Sequence, residues 1–180
     1  MAEPHHARIQ VRLRELAQLF NSLDPSPYIE RDLDENAEAF IVGSARELGL
    51  HQPYEIIVHL KVAPDPDRAA TLESAVRHFF KERTAFKQRE LRLLLRRGRA
   101  SLAVGIVFLT ACLGLSELIG RTWDTALSAI LSESLVIGGW VAMWRPLEIF
   151  LYDWWPLRDE RRVLDALAHA KVRLAPIPAA

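Results

Sequence analysis

Residues 100–116 read ASLAVGIVFLTACLGLS, and residues 125–144 read TALSAILSESLVIGGWVAMW. The first run holds no charge in 17 residues, and the second holds only Glu133 in 20. As helices they extend roughly 26 and 30 Å, against a hydrocarbon core of about 30 Å, so the first draws on its flanks for length. A buried helix of a soluble protein normally keeps a polar face, and neither run has one. The expectation is a hairpin of two transmembrane helices joined by a turn at 117–124.

The basic residues set its direction. Lys81, Arg83, Lys87, Arg89, Arg92, Arg96, Arg97 and Arg99 precede the first run, and Arg145, Arg158, Arg161 and Arg162 follow the second. The turn holds only Arg121, which places both flanks, and both chain ends, on the cytoplasmic side. The start MAEPHHARIQ lacks the layout of a cleavable signal peptide, in keeping with a cytoplasmic N-terminal region. Trp123 at the turn and Trp144, Tyr152, Trp154 and Trp155 at the exit mark the two water boundaries. Beyond Trp144, RPLEIFLYDWWP reads as an oblique helix bent near Pro146 and ended by Pro156, or as a tilted continuation of the second span. Arg92, Arg96, Arg97 and Arg99 are suited to anionic headgroups, each cation contributing about 1 kcal/mol near such a surface.

Glu133 lies nine residues past Asp124, roughly 13 Å below the outer boundary. A carboxylate there must be protonated, hydrogen-bonded to another helix or turned to water. Ser132, Ser134, Thr110 and Ser116 are its candidate companions, either in an ion pathway or in a helix contact. Ser134, Gly138 and Ala142, with Gly139 beside them, form a small-residue face for the first span or for a neighbouring subunit. Glu117 and Arg121, four apart, are expected to do no more than end the first helix. Cys112, the only cysteine, excludes an internal disulfide and reads as a small buried hydrophobe.

The flanking sequence changes period. Ile9, Val11 and Leu13 alternate with Gln10, Arg12 and Arg14, and 54–62 repeats the alternation with Ile56, Val58, Leu60 and Val62, predicting two strands. Between them Asp34 caps a helix whose apolar face is Ala37, Phe40, Ile41, Ala45 and Leu48, ending near Gly49. Strand, helix, strand makes a parallel pair. Val172 and Leu174 alternate with Lys171 and Arg173 and supply a third, edge strand that ties the chain ends together. After the linker 63–67, no Pro or Gly occurs until Gly98, so one helix runs from about Asp67 into the membrane. Its stripe of Leu72, Phe79, Phe86 and Leu93 suits packing on the small sheet better than a coiled coil.

With 23 basic and 23 acidic residues, the chain has no global excess that suits nucleic acid, and no nucleic-acid partner is expected. His5, His6, His51, His59, His78 and His169 stand at no zinc-ligand spacing, although His5 and His6 form a weak candidate pair. The loop at 24–38 gathers Asp24, Glu30, Asp32, Asp34, Glu35 and Glu38; it can attract a cation, but turns and a helix cap account for most of these residues. No glycine-rich phosphate cradle, GxSxG or HExxH occurs, so neither an enzyme, a cofactor nor a metal site is expected.

Three segments, LFNSLDPSPY (19–28), RDLDENAEAFIV (31–42) and VIGGWVAMWRPLEIFLYDWWPLRDERR (136–162), resemble a family of small bacterial inner-membrane proteins with two transmembrane helices and no known activity. The resemblance implies a bacterial inner-membrane location and nothing finer. The expected fold is an α+β membrane protein in which a small cytoplasmic α/β domain is joined by a long helix to a two-helix transmembrane hairpin. Its parts are a strand-helix-strand domain at 1–66, a cytoplasmic helix at 67–99, the hairpin and its exit at 100–155, and a C-terminal helix and edge strand at 156–180. The leading functional expectation is an oligomeric scaffold or accessory subunit with a cytoplasmic partner-binding domain. The alternative is a small oligomeric ion or proton channel using Glu133.

Overall fold

The computed structural model describes residues 7–50, 52–123 and 125–176. His5, His6, His51 and Asp124 lie outside the described residues. The chain divides into two compact units, Met1–Gln88 with Asp159–Ala180, and Arg89–Arg158.

The first unit is built on three parallel strands, β1 (Ala7–Leu13), β2 (Tyr54–Leu60) and β3 (Lys171–Pro176), in the order β1-β2-β3. Ile9 pairs with Ile56 and Ile56 with Val172; Val11 pairs with Val58 and Val58 with Leu174. Alternation therefore carries these side chains to one face, where they join Ala37, Ile41 and Ala45 of α1 (Glu35–Leu48) in a single buried cluster. Leu72, Ala75, Val76, Phe79 and Phe80 of α2 (Pro66–Thr122) enter the same cluster, as do Val163, Leu164, Leu167 and Ala168 of α5 (Trp154–Ala168). β3 is an edge strand, as its alternation predicts, and it closes the sheet on the far side of β2 from β1.

Local chemistry explains the ends of these elements. The Asp34 carboxylate accepts the Asn36 N–H at 3.0 Å and caps α1. Gly49, at φ 73°, stops it. Pro66 opens α2, where its missing N–H leaves no intrahelical bond unmade.

Several expected contacts are corrected. Phe40 and Leu48 lie outside the buried arc of α1, which is the narrower Ala37, Ile41, Ala45 row at four-residue spacing, and both are exposed. Along α2 the stripe is buried at Leu72 and Phe79 but exposed at Phe86 and Leu93, because a strictly sevenfold row drifts off one face of a straight helix. Val76 and Phe80 take the places beside it. Val62 follows the end of β2 and is exposed.

In the second unit, α2 runs to Thr122, and α3 (Ala126–Ala142) begins after a connection of three residues. Glu117 and Arg121 pair inside α2 and do not end it, so the turn is shorter than the expected 117–124. The Thr125 hydroxyl accepts the Ser128 N–H and the Ser128 hydroxyl accepts the Thr125 N–H, a reciprocal cap that starts α3. α4 (Trp144–Glu148) carries Pro146 in its first turn, followed by a π turn (Ile149–Asp153) and then α5.

Pro156 does not end the helix. It sits in the first turn of α5, where the wider π turn before it absorbs the missing N–H and the bulk of the ring. The Trp154 indole N–H donates to the Phe150 carbonyl at 2.8 Å and satisfies an oxygen exposed by that irregularity. The segment after Trp144 is therefore a helical continuation with one π turn.

Candidate functional site

The two apolar helices meet along a seam of small residues. A β-carbon added at Gly139 would lie 2.9 Å from Leu109 Cδ1 and 3.1 Å from Cys112 Cβ. At Gly105 it would meet Met143 Sδ at 3.0 Å and the Ala142 carbonyl at 3.4 Å, and at Gly98 it would meet Ile149 Cγ2 at 2.8 Å. A side chain at any of these three glycines would make its neighbour across the seam, Ile149, Met143 or Leu109, shift. Gly98, Gly105 and Cys112 recur every seven residues on α2, and Cys112 is buried in the seam as a small apolar side chain. On α3 the facing row is Ser128, Ser132, Gly139 and Ala142. Near the turn, the Ser132 and Ser116 hydroxyls hydrogen-bond to each other, and the Ser132 hydroxyl also lies 3.3 Å from the Ser116 carbonyl.

These contacts divide the residues singled out from the sequence. Ser132, Gly139 and Ala142 belong to the seam, whereas Glu133, Ser134 and Gly138 are exposed. Nothing lies within 4 Å of a β-carbon built at Gly138. The Ser134 hydroxyl donates to the Ile130 carbonyl of its own helix, and the exposed Thr110 hydroxyl donates to that of Ile106. Neither reaches Glu133, and Ser116 meets Ser132 instead. Around Glu133 the same face carries Ile130, Ile137, Val141 and Trp144, all exposed. The face opposite the seam is thus apolar except for one carboxylate and one serine.

Arg92, Arg96, Arg97 and Arg99 are exposed on α2. Arg145 makes ion pairs with Glu148 at 2.8 Å and Asp153 at 3.4 Å, so the positive charge at this position is matched by two carboxylates across the π turn.

In the first unit the acidic loop is a set of internal hydrogen bonds. The Asp24 carboxylate accepts the Ser26 N–H at 2.9 Å and the Asp32 N–H at 2.7 Å, closing the loop on itself. These bonds, led by that from Asp32, hold its carboxyl below the usual range. Glu38 pairs with Arg83 at 2.7 Å. Among the described residues, no three His, Cys, Asp or Glu side chains gather where they could hold a metal ion.

Sequence reasoning missed one polar cluster. Glu55, the middle residue of the row Arg8, Glu55, Lys171, is buried on the second face of the sheet. Its two carboxylate oxygens meet Arg8 Nε at 3.3 Å and Arg173 Nε at 3.1 Å. Alternation alone places Arg8, Glu55 and Arg173 on the outward face of their strands, and the parallel register brings them together.

Fold and site define a small α+β protein with a three-stranded parallel sheet and two helices long and apolar enough to cross a membrane. No family model matches the chain, and no curated protein or solved structure matches it either.

Proposed function

We propose that the chain is an oligomeric scaffold or accessory subunit of the bacterial inner membrane. In this reading the hairpin crosses the bilayer twice, both ends are cytoplasmic, and the sheet domain holds a partner protein. The observation that carries the proposal is the direction of Glu133. Within the hairpin, Ser116 and Ser132 satisfy one another, while Glu133 stands on the opposite face with no described side chain paired to it.

A carboxyl group at mid-bilayer costs about 3 kcal/mol on insertion scales, and a hydrogen bond across a helix contact returns about 1 kcal/mol. A second copy laid along Ser134 and Gly138 removes Glu133 from lipid and gives its carboxyl a hydrogen-bond partner. In a Cys112→Ala background, Ser134→Cys is expected to cross-link between copies in mild detergent, while Ser132→Cys, held in the seam, does not. Isolation of the Ser134→Cys protein as an uncross-linked monomer under oxidising conditions would overturn the self-association.

The outward carboxyl also favours a second reading, an ion or proton channel in which several copies turn Glu133 to a common axis. That reading requires flux in reconstituted vesicles that is lost or changes its pH dependence in Glu133→Gln. Unchanged flux, or none above empty vesicles, leaves the scaffold.

A further inference from the structure

A parallel sheet normally carries helices on both faces, because each face exposes side chains that need cover. Here the buried residues of α1, α2 and α5 all join the cluster on the Ile56 face. The other face is laid out in three rows across the strands: Arg8, Glu55, Lys171; then Gln10, Ile57, Arg173; then Arg12, His59, Ala175. Arg8, Gln10, Arg12, Lys171 and Arg173 are exposed, with half-buried Ile57 and His59 along the middle strand.

The charge on this face is one-sided. Four cations stand against one carboxylate, and that carboxylate is spent within the face. Glu55, with its side chain 8% exposed, holds Arg8 and Arg173 through their Nε atoms, yet both arginine side chains remain 67% exposed. A buried acid between two exposed arginines fixes their positions before any ligand arrives, which lowers the ordering cost of binding a carboxylate. Arg12 and Lys171 extend the same charge to opposite ends of the face.

We infer that this face of the sheet, which carries no helix among the described residues, is a docking surface for an acidic amphipathic helix of a partner protein. The inference deepens the partner-binding part of the proposed function and rests on it, but not on self-association through Glu133. Charge complementarity selects the acidic occupant, and Ile57, half-buried between Gln10 and Arg173 at the centre of the face, gives a helix one apolar contact point. The size selects a single helix. Three strands of this length span about 14 by 20 Å, the footprint of a helix of roughly four turns. An area of about 300 Å² falls below the about 800 Å² per partner of stable complexes, so the contact is reversible and steered by charge.

The test uses the full chain in neutral phosphatidylcholine nanodiscs and a labelled helical peptide of about sixteen residues with a leucine stripe and glutamates, beside its glutamine counterpart. The glutamate peptide is expected to raise fluorescence anisotropy, and its affinity to fall about tenfold between about 50 and 300 mM salt. Arg12→Glu with Lys171→Glu leaves the Glu55 cluster in place and is expected to weaken binding about tenfold or more. Replacing Arg8, Glu55 and Arg173 together by glutamine avoids stranding a buried carboxylate and is expected to do the same. Arg96→Gln with Arg97→Gln should leave binding unchanged.

Equal binding of the two peptides, or a loss that follows Arg96 and Arg97 instead of the sheet, overturns the inference. So does loss of peptide binding when phosphatidylglycerol is included, with the sheet face protected from labelling, which would assign the face to lipid. Competition by a second copy as protein concentration rises would assign it to the chain itself and likewise overturn it. Size measurement on the same nanodiscs reads self-association separately, so failure of the oligomer and failure of this contact are distinguishable.

Discussion

Tyr28 packs its ring against Phe20 at 4.7 Å between centroids, and its hydroxyl is enclosed with no hydrogen-bond partner among the described residues. Burial pushes the phenol up to about 12, above its ordinary value of 10.0. The folded state therefore favours the protonated ring, and the stability linked to it is complete below pH 10 and lost as pH rises towards 12. Tyr28→Phe keeps the ring contact and removes the unsatisfied hydroxyl. It is expected to be neutral or stabilising by up to about 1 kcal/mol at pH 7, and to lose less thermal stability than the natural chain between pH 10 and 12. Thermal unfolding across that range checks both parts. Asp24 has the opposite sign: its lowered carboxyl contributes stability above its ordinary value of 3.8 that is lost as pH falls below it. Asp24→Ala should remove that acid dependence and speed amide exchange at Ser26 and Asp32, read by hydrogen exchange. The cap at Asp34 was legible in the sequence because donor and acceptor are two residues apart. Glu55 was not, since its partners Arg8 and Arg173 lie on separate strands and meet only once the register is known.

At the scale of the elements, adjacent glycines on α3 do different work. A β-carbon at Gly139 would press on Leu109 and Cys112, which must shift to admit it, and Gly138 faces open space. Gly139→Leu should force the helices apart and cost about 1 to 3 kcal/mol, as overpacking does elsewhere. Gly138→Leu should leave the hairpin's stability within about 0.5 kcal/mol or improve it through helix propensity, while weakening the proposed contact between copies. Unfolding titrations in mixed detergent micelles, paired with size measurement, separate the two effects. Equal destabilisation by both would contradict the seam. Sequence composition revealed that small residues line these helices, and along the Ser134, Gly138, Ala142 row Ala142 lies beside the seam while Ser134 and Gly138 are exposed. The sevenfold recurrence of Gly98, Gly105 and Cys112 carried the missing signal, since an antiparallel pair keeps contact along a period near 3.5. Pro156 misled for a physical reason as well: a proline ends a regular helix, and the π turn ahead of it makes this helix irregular.

Across the whole molecule, the sheet constrains how the chain can be threaded. β1 lies near the beginning, β3 near the end, and both are hydrogen-bonded to β2. The two apolar helices lie in the connection between β2 and β3, so on the proposed reading that they cross a membrane the chain must return to the side it left before β3 can pair. Within the proposed membrane reading, an even number of crossings is therefore a condition of folding the domain, independent of the arginine distribution that predicts the same topology. Strand order requires only that both ends of the hairpin lie on one side, and the basic residues add which side that is. Single cysteines in a Cys112→Ala background provide the check. A membrane-impermeant maleimide added outside intact spheroplasts is expected to label Trp123→Cys, at the turn, and to spare Arg68→Cys on α2 and His169→Cys before β3. After lysis, all three become reactive, since each of these positions is exposed. Labelling of Arg68→Cys but not His169→Cys from outside, or the reverse, would put β2 and β3 on opposite sides and could not coexist with the sheet. Labelling of both, with Trp123→Cys protected, would keep the sheet and the hairpin but invert the orientation, moving the basic face of the sheet out of reach of any cytoplasmic partner.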